Sequence, residues 1–401
     1  MECSECKARV MTRTSVGHSH YQEFAFPCPK CGIELRFGMV IDQKNPDVKF
    51  TLLKNGIWRD GVYEAPHERK FDSETLISID PEEPMMPFLR VPFLAKDMEA
   101  GMRRHAEIHH ALAEFWPALE RMAVHQQNRN RRLLKKIARE FGYKDPIKSD
   151  AGALVTMLHA FDAYGNILQC DEGAARSEIA KLIRSLQRRK SGQPELLAFY
   201  EENGRWMQLW NQLMSLRRMW ANTVFPIVFP VYRSFDWDPA KASLAEYTLS
   251  QKRFEDLRPF FVDAYETLCR FAVLAAGMEC AATHGSPAIP LAKRAMPLAE
   301  FEGMPNGAKP DILNKLKTGK LFVPFIDAKL RNGIGHHSAH YRALLDDIYY
   351  QNQSGANIEQ FSISYIQFCE KLIRLYAQVE ACAPLLGLIR ANAADDVLPL
   401  V

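Results

Sequence analysis

The chain has 401 residues, 47% of them hydrophobic, and its 51 lysines and arginines against 48 aspartates and glutamates leave a formal charge of only +3. This length exceeds what one hydrophobic core usually serves, so we expect two or three domains. The near-neutral charge excludes a surface that binds polyanions everywhere, so any nucleic-acid contact must be local. The N-terminus lacks a basic-then-apolar signal pattern, and the apolar run 219–232 is short and contains two prolines. We therefore expect a cytoplasmic protein with no membrane partner.

Four of the nine cysteines form two CxxC pairs, Cys3 with Cys6 and Cys28 with Cys31. Each pair offers two thiolates to one tetrahedral ion, and Gly32 tolerates the positive backbone angle that such a turn needs. The spacing predicts a closed, structural Zn²⁺ site with no open position for catalysis. The alternative is four unrelated reduced thiols.

The remaining cysteines lie in apolar helical patterns, which favours reduced core thiols over a disulfide framework. They are Cys170, Cys269, Cys280, Cys369 and Cys382. His18 and His20 could replace a cysteine as metal ligands, but four thiolates already complete the site, which favours polar residues at a hairpin tip.

Residues 1–63 alternate between apolar and polar positions with glycines between, which predicts a small β module. Within it, "PCPKCG" followed by an alternating strand resembles a zinc ribbon. Residues 64–95 are proline-rich and locally acidic, which is typical of a linker or an irregular docking segment. We expect no regular element there.

Apolar residues recur at helical spacing from residue 96 onward, so the fold class is mainly α. Residues 96–235 predict a helical middle domain. Residues 236–392 predict long helices with short connections, as in an antiparallel bundle, and 393–401 form a tail.

The pattern Arg-x4-His is a candidate for chemistry on phosphates, and it occurs three times: Arg13–His18, Arg104–His109 and Arg331–His336. The first lies across the predicted hairpin, where no pocket is expected. The second lies on a continuous helix, where a five-residue step separates the two side chains around the axis. Context therefore favours the third.

In the third copy we expect Gly333 and Gly335 to break or bend the backbone, with Asn332 at the helix boundary, so that Arg331 and His336 converge. A guanidinium can hold a phosphate with two hydrogen bonds, and an imidazole can move protons at neutral pH. These groups suffice for metal-free RNA cleavage by a 2′-hydroxyl. The alternative is that Arg331 and His336 only complete hydrogen bonds at a helix terminus, with His336 and His337 near an interface. In either case we expect His340 to be a solvated neighbour.

The C-terminal part of the chain resembles the HEPN domain, an all-α bundle frequent in prokaryotic defence and toxin systems. The resemblance rests on the segment "KLRNGIGHH", the helical pattern before it from residue 252, and the stretches "YRALLDDIYY" and "FSISYIQFCEKLIRLYAQVEACAPLL" after it. The resemblance covers about residues 240–390 and implies a metal-independent endoribonuclease with Arg331 and His336 as the catalytic pair. It implies that Asn332 fixes the geometry of the catalytic pair. The distance in sequence from Arg331 to His337 also fits the family motif, so His337 is a second candidate for the catalytic histidine.

The resemblance further implies a composite site in a homodimer, an RNA substrate such as tRNA or mRNA, and a role in antiviral defence or growth control with a phage-derived or protein trigger. Two alternatives stay open: a non-catalytic nucleic-acid-binding protein, and a regulatory interaction protein built on the same scaffold.

Residues 121–144 carry eight lysines and arginines against one glutamate, a local excess of +7. Neutralisation of RNA phosphates is one use of such a segment, and a solvated helix face is the other. The candidate nucleic-acid-binding residues are Arg129, Arg131, Arg132, Lys135, Lys136 and Arg139. Trp206, Trp210 and Trp220 recur at near-helical spacing with leucines, which favours core packing or a dimer contact over base stacking.

Overall fold

The structure is a computed structural model, and it describes residues 1–14, 21–42, 47–59, 67–71, 76–78, 115–143, 147, 149, 152–153, 156–157, 160–161, 173–189, 192–223, 247–249, 254–335, 338–342, 347–354 and 357–392. Several predicted residues lie outside this set: His18, His20, Arg104, His109, Cys170, His336, His337 and the tail 393–401.

The described strands are short and fall mostly at the N-terminus. They are β1 (Glu2–Cys3), β2 (Val10–Thr14), β3 (Tyr21–Pro27), β4 (Glu34–Asp42), β5 (Asp47–Lys54), β6 (Gly56–Ile57), β7 (His67–Phe71), β8 (Leu76–Ser78), β9 (Tyr247–Leu249), β10 (Ile289–Pro290), β11 (Ala295–Met296), β12 (His340–Arg342), β13 (Asp347–Ser354) and β14 (Asn357–Ser364).

The described helices make up most of the regular structure after residue 115. They are α1 (Trp116–Gln127), α2 (Arg131–Glu140), α3 (Gly173–Arg188), α4 (Gln193–Glu201), α5 (Arg205–Thr223), α6 (Phe254–His284), α7 (Leu298–Gly303), α8 (Lys309–Leu313), α9 (Gly319–Phe322), α10 (Ala328–Gly335), α11 (Tyr365–Cys382) and α12 (Pro384–Asn392).

The chain is therefore mainly helical with several small sheets, as its hydrophobic periodicity predicts. Strands pair in the orders β1-β6, β3-β4-β5, β2-β7-β8-β9, β10-β11 and β12-β13-β14, and every pairing is antiparallel except that of β2 with β7. Among the described helices, none combines the length and the apolar character that crossing a lipid bilayer requires.

Two predictions of local structure need correction. The bundle predicted for 236–392 is not helical throughout, because β12, β13 and β14 form a three-stranded antiparallel sheet there. The sequences "DIYYQNQS" and "NIEQFSIS" are rich in β-branched and aromatic residues, and these favour strands once two such segments can pair. The segment 64–95, for which we expected no regular element, contains β7 and β8. Their partners β2 and β9 lie far away in sequence, so local composition does not reveal the pairing.

The chain forms two compact units, each assembled from three stretches of sequence. The first comprises Met1–Arg103, Asn222–Phe260 and Lys329–Ile373, and the second comprises Arg104–Ala221, Phe261–Ala328 and Arg374–Val401. Residues 236–392 thus contribute to both units. The sequential boundaries at residues 63, 95, 235 and 392 stay predictions.

In the second unit, the three tryptophans of α5 lie in the core. Trp206 is 9% exposed, and Trp210 and Trp220 are 1% exposed. The Trp206 ring stacks on that of Trp210 at 6.0 Å, and Trp220 stacks on Tyr376 of α11 at 4.7 Å. The Trp206 Nε1–H donates to the carbonyl oxygen of Leu386 at 3.3 Å. The prediction of core packing is confirmed.

A buried ion pair accompanies this core. The Arg217 side chain is 2% exposed, and its guanidinium donates to both carboxylate oxygens of Glu380, with a shortest distance of 2.7 Å. Tyr376 also donates to Glu380, and the guanidinium lies over the Phe161 ring, 4.0 Å from its centroid. Because a buried charge is tolerated only when it is paired, these contacts fix the relative position of α5 and α11.

Candidate metal centre and Arg331 site

Two tight turns of the same geometry present the four N-terminal cysteines. Cys3 ends β1, and the Lys7 N–H donates to its carbonyl oxygen at 3.1 Å. Cys28 follows β3, and the Gly32 N–H donates to its carbonyl oxygen at 2.9 Å. Lys7 has φ 59° and Gly32 has φ 75°, so each turn places a left-handed residue directly after its second cysteine. The positive angle predicted at Gly32 is confirmed.

The two turns bring all four sulfur atoms together. The Sγ atoms lie within 4.8 Å of one another, with Cys3 Sγ 3.7 Å from Cys31 Sγ and Cys6 Sγ 3.5 Å from Cys28 Sγ. A disulfide would place two sulfurs about 2.05 Å apart, so these thiols are not bonded to each other. Four thiolates about 2.3 Å from one tetrahedral ion would lie about 3.8 Å apart. The group can therefore hold a metal ion, and both its donor set and its spacing fit one.

The thiols of this group differ in how easily they lose a proton. The backbone N–H of Ala8 is the main influence on Cys6 and lowers its pKa to about 7. Burial raises the pKa of Cys28. The Ile33 N–H favours the Cys31 thiolate, yet burial and the neighbouring thiols together raise the pKa of Cys31 to about 12. Cys6 therefore loses its proton more readily than Cys28 or Cys31.

The hydrophobic core beneath the sulfurs is small. Among the described residues of the module it consists of eight buried ones, two of which are cysteines of the group: Cys3, Val10, Phe24, Phe26, Cys28, Leu35, Phe37 and Met39. A module of this size rarely folds on hydrophobic burial alone, so a bound ion would supply much of its stability.

The two left-handed positions give a matched pair of predictions. Gly32→Ala should lower the free energy of unfolding of the N-terminal module by about 1–2 kcal/mol, because a Cβ is strained at φ 75°. Lys7→Gly removes the same strain from the first turn and should raise stability by up to about 1 kcal/mol. Hydrogen exchange of peptides from residues 1–57 measures both changes. Equal effects of the same sign would contradict the assigned backbone geometry.

Arg331 and Asn332 lie inside α10, and both side chains are half-buried. The helix continues through Gly333 and ends at Gly335, and neither glycine has a positive φ. The helix boundary predicted at Asn332 and the break or bend predicted at Gly333 are therefore wrong, whereas the helix does end at Gly335.

The two glycines serve close packing instead. A Cβ on Gly333 would lie 2.7 Å from Cδ2 and 2.8 Å from Cβ of Tyr350, so α10 touches β13 where no side chain fits between them. Tyr350 in turn stacks on Phe361 of β14 at 5.4 Å. A Cβ on Gly335 would lie 3.3 Å from Nη1 of Arg331. The guanidinium therefore lies against the last turn of α10, beside the residue that precedes His336.

Ser338 anchors the chain just after the two candidate histidines. Its N–H donates to the carbonyl oxygen of Gly333 at 3.1 Å, a bond across six residues that is typical of helix C-termini. Its Oγ lies 3.0 Å from the same oxygen and 2.9 Å from the carbonyl oxygen of Gln351 on β13. Ser338 is therefore tied both to the end of α10 and to β13.

Two further polar residues near Arg331, His340 and Lys329, contact residues of the β12-β13-β14 sheet. His340 is exposed, and its ring lies 5.1 Å from that of Tyr349, as expected of a solvated neighbour. Lys329 pairs with Glu359 at 2.8 Å, and its Nζ lies 4.9 Å from the centroid of the Phe361 ring. Of the residues predicted for catalysis, the structure places Arg331 and Asn332 on one helix, while His336 and His337 are not among the described residues.

Part of the basic segment, from Arg131 to Arg139, lies on α2, and Arg129 lies before this helix. Leu134, Ile137 and Ala138 are buried on one face, and Asn130 caps the helix by accepting a hydrogen bond from the Leu133 N–H at 3.2 Å. Lys135 is half-buried, and the other candidate residues are exposed: Arg129, Arg131, Arg132, Lys136 and Arg139. The arrangement is a basic face on an amphipathic helix, and both interpretations of it stay open.

No protein-family model, curated protein or solved structure matches the chain.

Two residues that sequence reasoning missed define the surroundings of Arg331. Tyr350 sets the close approach of α10 to the sheet, and Ser338 ties the chain after the histidines to both α10 and β13. The spacing of Ser338 behind a glycine-ended helix is a weak local signal for such a cap. Nothing local points to Tyr350, because its contact with Gly333 depends on the β12–β14 sheet.

The contact between Gly333 and Tyr350 gives a second matched prediction. Gly333→Ala should destabilise the protein by about 1–2 kcal/mol, because the clash with Tyr350 outweighs the better helix propensity of alanine. Gly303→Ala, at the end of α7, meets no atom within 4 Å and should be neutral or slightly stabilising. Urea unfolding measures both. A neutral Gly333→Ala would contradict the close packing of α10 on β13.

Proposed function

We propose that the protein is a metal-independent endoribonuclease of the HEPN type that acts in the cytoplasm in antiviral defence or toxin-like growth control. The observation that carries this proposal is the position of the Arg331 guanidinium, which lies against Gly335 immediately before His336. A cation held at the end of a short helix, next to two consecutive histidines in the chain, supplies the groups that RNA cleavage needs.

In the proposed reaction the RNA 2′-oxygen attacks the adjacent phosphorus while the bond from phosphorus to the 5′-oxygen breaks. His336, or His337, takes the proton of the 2′-hydroxyl or gives a proton to the leaving 5′-oxygen. Arg331 stabilises the charge that develops on the phosphorane oxygens, and Asn332 helps to fix the geometry. The products carry a 2′,3′-cyclic phosphate, or its hydrolysed form, and a 5′-hydroxyl.

The four-cysteine group has a structural role in this proposal. Zn²⁺ bound by Cys3, Cys6, Cys28 and Cys31 would cross-link the two turns of a zinc ribbon and leave no coordination position for water. The ribbon and the basic face of α2 would bind the RNA or a phage-derived or protein trigger.

The proposal includes a homodimer that completes the site. The sheet order supports a dimer because it leaves β14 at an edge, where a strand of a second chain can pair. Lysine and proline discourage such pairing, and β14 contains neither. Ile358 on this strand is 60% exposed, and no other described strand pairs with that edge. Ile358→Lys should therefore weaken dimerisation measured by light scattering. A monomeric wild-type protein that still cleaves RNA would contradict the composite site.

The experiment that tests the function compares wild type with His336→Ala and His337→Ala on total RNA. EDTA is present at a concentration that leaves the protein-bound metal unchanged by elemental analysis. Wild type should cleave, and at least one of the two variants should lose more than about 100-fold in rate. His340→Ala is the matched control, because His340 is an exposed histidine of the same segment and should retain activity. Growth arrest on expression should follow the same pattern.

A second candidate function is RNA binding without cleavage, and the exposed basic face of α2 favours it. Salt-sensitive RNA binding that survives Arg331→Ala, with no cleavage by wild type, would support this alternative. A protein without RNA affinity would instead fit a regulatory interaction partner.

A further inference from the structure

Basic side chains form a row on the solvent-facing side of α3. Lys181, Arg184 and Arg188 are all exposed, and their spacing of three and four residues puts them on one side of the helix. The apolar residues of the opposite side are buried: Ile179, Leu182, Ile183 and Leu186. A helix rises about 1.5 Å per residue, so the row is about 10 Å long. The exposed side of α3 is therefore cationic over two turns.

A fourth cation reaches this row from a distant part of the sequence. The Lys320 amine, on α9, lies 2.8 Å from the Glu178 carboxylate, and the Lys181 amine donates to the same carboxylate at 2.7 Å. Hydrogen bonds from Lys181 and Lys320 lower the pKa of Glu178 to about 2. Both lysine side chains are 61% exposed. Lys181, Arg184, Arg188 and Lys320 are together called the α3 cationic row.

Little negative charge offsets the α3 cationic row. Glu178 is the only acidic residue from 173 to 189, and Asp311 is the only one from 309 to 322. Among the described residues, Arg184 and Arg188 form no ion pair, whereas Glu178 pairs with both lysines of the row. Four cations against the Glu178 carboxylate leave this surface with a charge of +3.

Two negative groups that border the row are engaged within the protein. The Glu279 carboxylate of α6 accepts hydrogen bonds from the backbone N–H groups of Lys317 and Thr318 at 2.9 and 2.7 Å. The Arg189 guanidinium donates to carbonyl oxygens in the last turn of α6, that of Ala282 at 3.2 Å. Because these contacts satisfy the carboxylate and the helix end, neither group competes for the cations of the row.

The apolar residues of the two segments that form the row do not reach the surface. In the described part of the chain, every exposed large hydrophobic residue lies outside 173–189 and 309–322. Unpaired bases are held by stacking on aromatic rings, and protein partners by an apolar centre, so neither fits this surface. The phosphates of a duplex fit it, because cations suffice to bind them.

We infer that the α3 cationic row binds the phosphate backbone of a nucleic-acid duplex without sequence preference. Phosphates of one strand follow each other about every 3.4 Å along a duplex, so a row about 10 Å long spans about three of them. The inference goes beyond the proposed function, since it concerns a different surface and holds whether or not Arg331 cleaves RNA.

The test measures Kd for labelled RNA and DNA duplexes of about 16 base pairs by fluorescence anisotropy, between about 50 and 200 mM salt. The full chain carries Arg331→Ala throughout, so that cleavage cannot interfere and failure of the nuclease proposal leaves this test unaffected. Arg184→Gln combined with Arg188→Gln should raise Kd about tenfold or more. It should also reduce the slope of log Kd against log salt by about two, one for each lost phosphate contact. The duplex that binds more tightly identifies the source of the phosphates.

Arg218→Gln combined with Arg294→Gln is the matched control. It removes the same charge from two arginines whose side chains are 65% and 56% exposed, and each of them already pairs with a glutamate. Its Kd should change less than threefold, because neither arginine belongs to the row. Urea unfolding of both double variants shows that the fold is intact.

Acetylation of lysines in the chain with an unaltered row provides a second measurement that no substitution in the row can confound. Lys181 and Lys320 should react more slowly when the duplex is bound. Unchanged affinity after loss of Arg184 and Arg188, an equal loss in the control, or unprotected lysines would overturn the inference. If single-stranded oligouridylate or polyglutamate binds through the same arginines as tightly as the duplex, the surface recognises negative charge of any kind and the inference is likewise wrong.

Discussion

Cys28→Ser should abolish metal binding and unfold the N-terminal module while the helices of the second unit stay folded. Cys28 is fully buried and belongs both to the sulfur group and to the eight-residue core, so its loss removes a ligand and exposes the core together. Structural zinc sites contribute on the order of 10 kcal/mol to small modules, far more than this core can replace. Elemental analysis should find one metal ion per wild-type chain and none in the variant.

Hydrogen exchange locates the effect of this substitution. Peptides from residues 1–57 should lose protection in Cys28→Ser, whereas peptides from residues 261–284 of α6 should exchange as in wild type. Cys382→Ala is the matched control, because Cys382 is equally buried but lies outside the sulfur group. It should cost about 1 kcal/mol of stability and retain the metal. A Cys28→Ser variant that keeps both metal and protection would show that the four thiols are not a ligand set.

Arg331→Ala should reduce the rate of RNA cleavage by about 1,000-fold or more. The guanidinium is proposed to stabilise charge that appears only in the transition state, so its loss should lower kcat more than it raises KM. Arg331→Lys should recover little activity, because an ammonium group cannot form two parallel hydrogen bonds to a phosphate. Single-turnover cleavage of a defined RNA, followed over a range of enzyme concentrations, separates the two parameters.

Lys329→Ala provides the control for Arg331. Lys329 is a cation on the same helix, but it is directed to Glu359 and the Phe361 ring. Its removal should change cleavage less than threefold, on the order of one exposed ion pair. If Lys329→Ala and Arg331→Ala have equal effects, α10 contributes only general positive charge. The proposed role of the guanidinium would then be wrong.

The metal group could be predicted from the sequence because its information is local. The two CxxC motifs indicate two metal-binding turns, and Gly32 after the second motif indicates the positive φ of that turn. In the structure the four sulfurs lie close enough to bind one ion. Lys7 shows the limit of this reasoning. It adopts the same left-handed angle as Gly32, although its side chain gives no sign of that.

The surroundings of Arg331 could be predicted only in part. Helical spacing places Arg331 on a helix, and the structure has it there, although α10 continues four residues beyond Arg331 to Gly335. The role assigned to Gly333 was wrong, because this glycine lies inside α10 and allows the close contact with Tyr350, seventeen positions away in the chain. Tyr350 lies on β13, which pairs with β14, and such pairing depends on partners that a local pattern does not specify.

The most direct test of the central claim determines the chemical ends of the RNA products in EDTA. A short RNA is compared with the same RNA carrying one 2′-deoxynucleotide at the mapped cleavage position. We predict a 2′,3′-cyclic phosphate and a 5′-hydroxyl from the first RNA, no cleavage at the modified position of the second, and no products with Arg331→Ala. Products with a 5′-phosphate and a 3′-hydroxyl, or cleavage at the deoxynucleotide, would contradict 2′-hydroxyl attack at the Arg331 site.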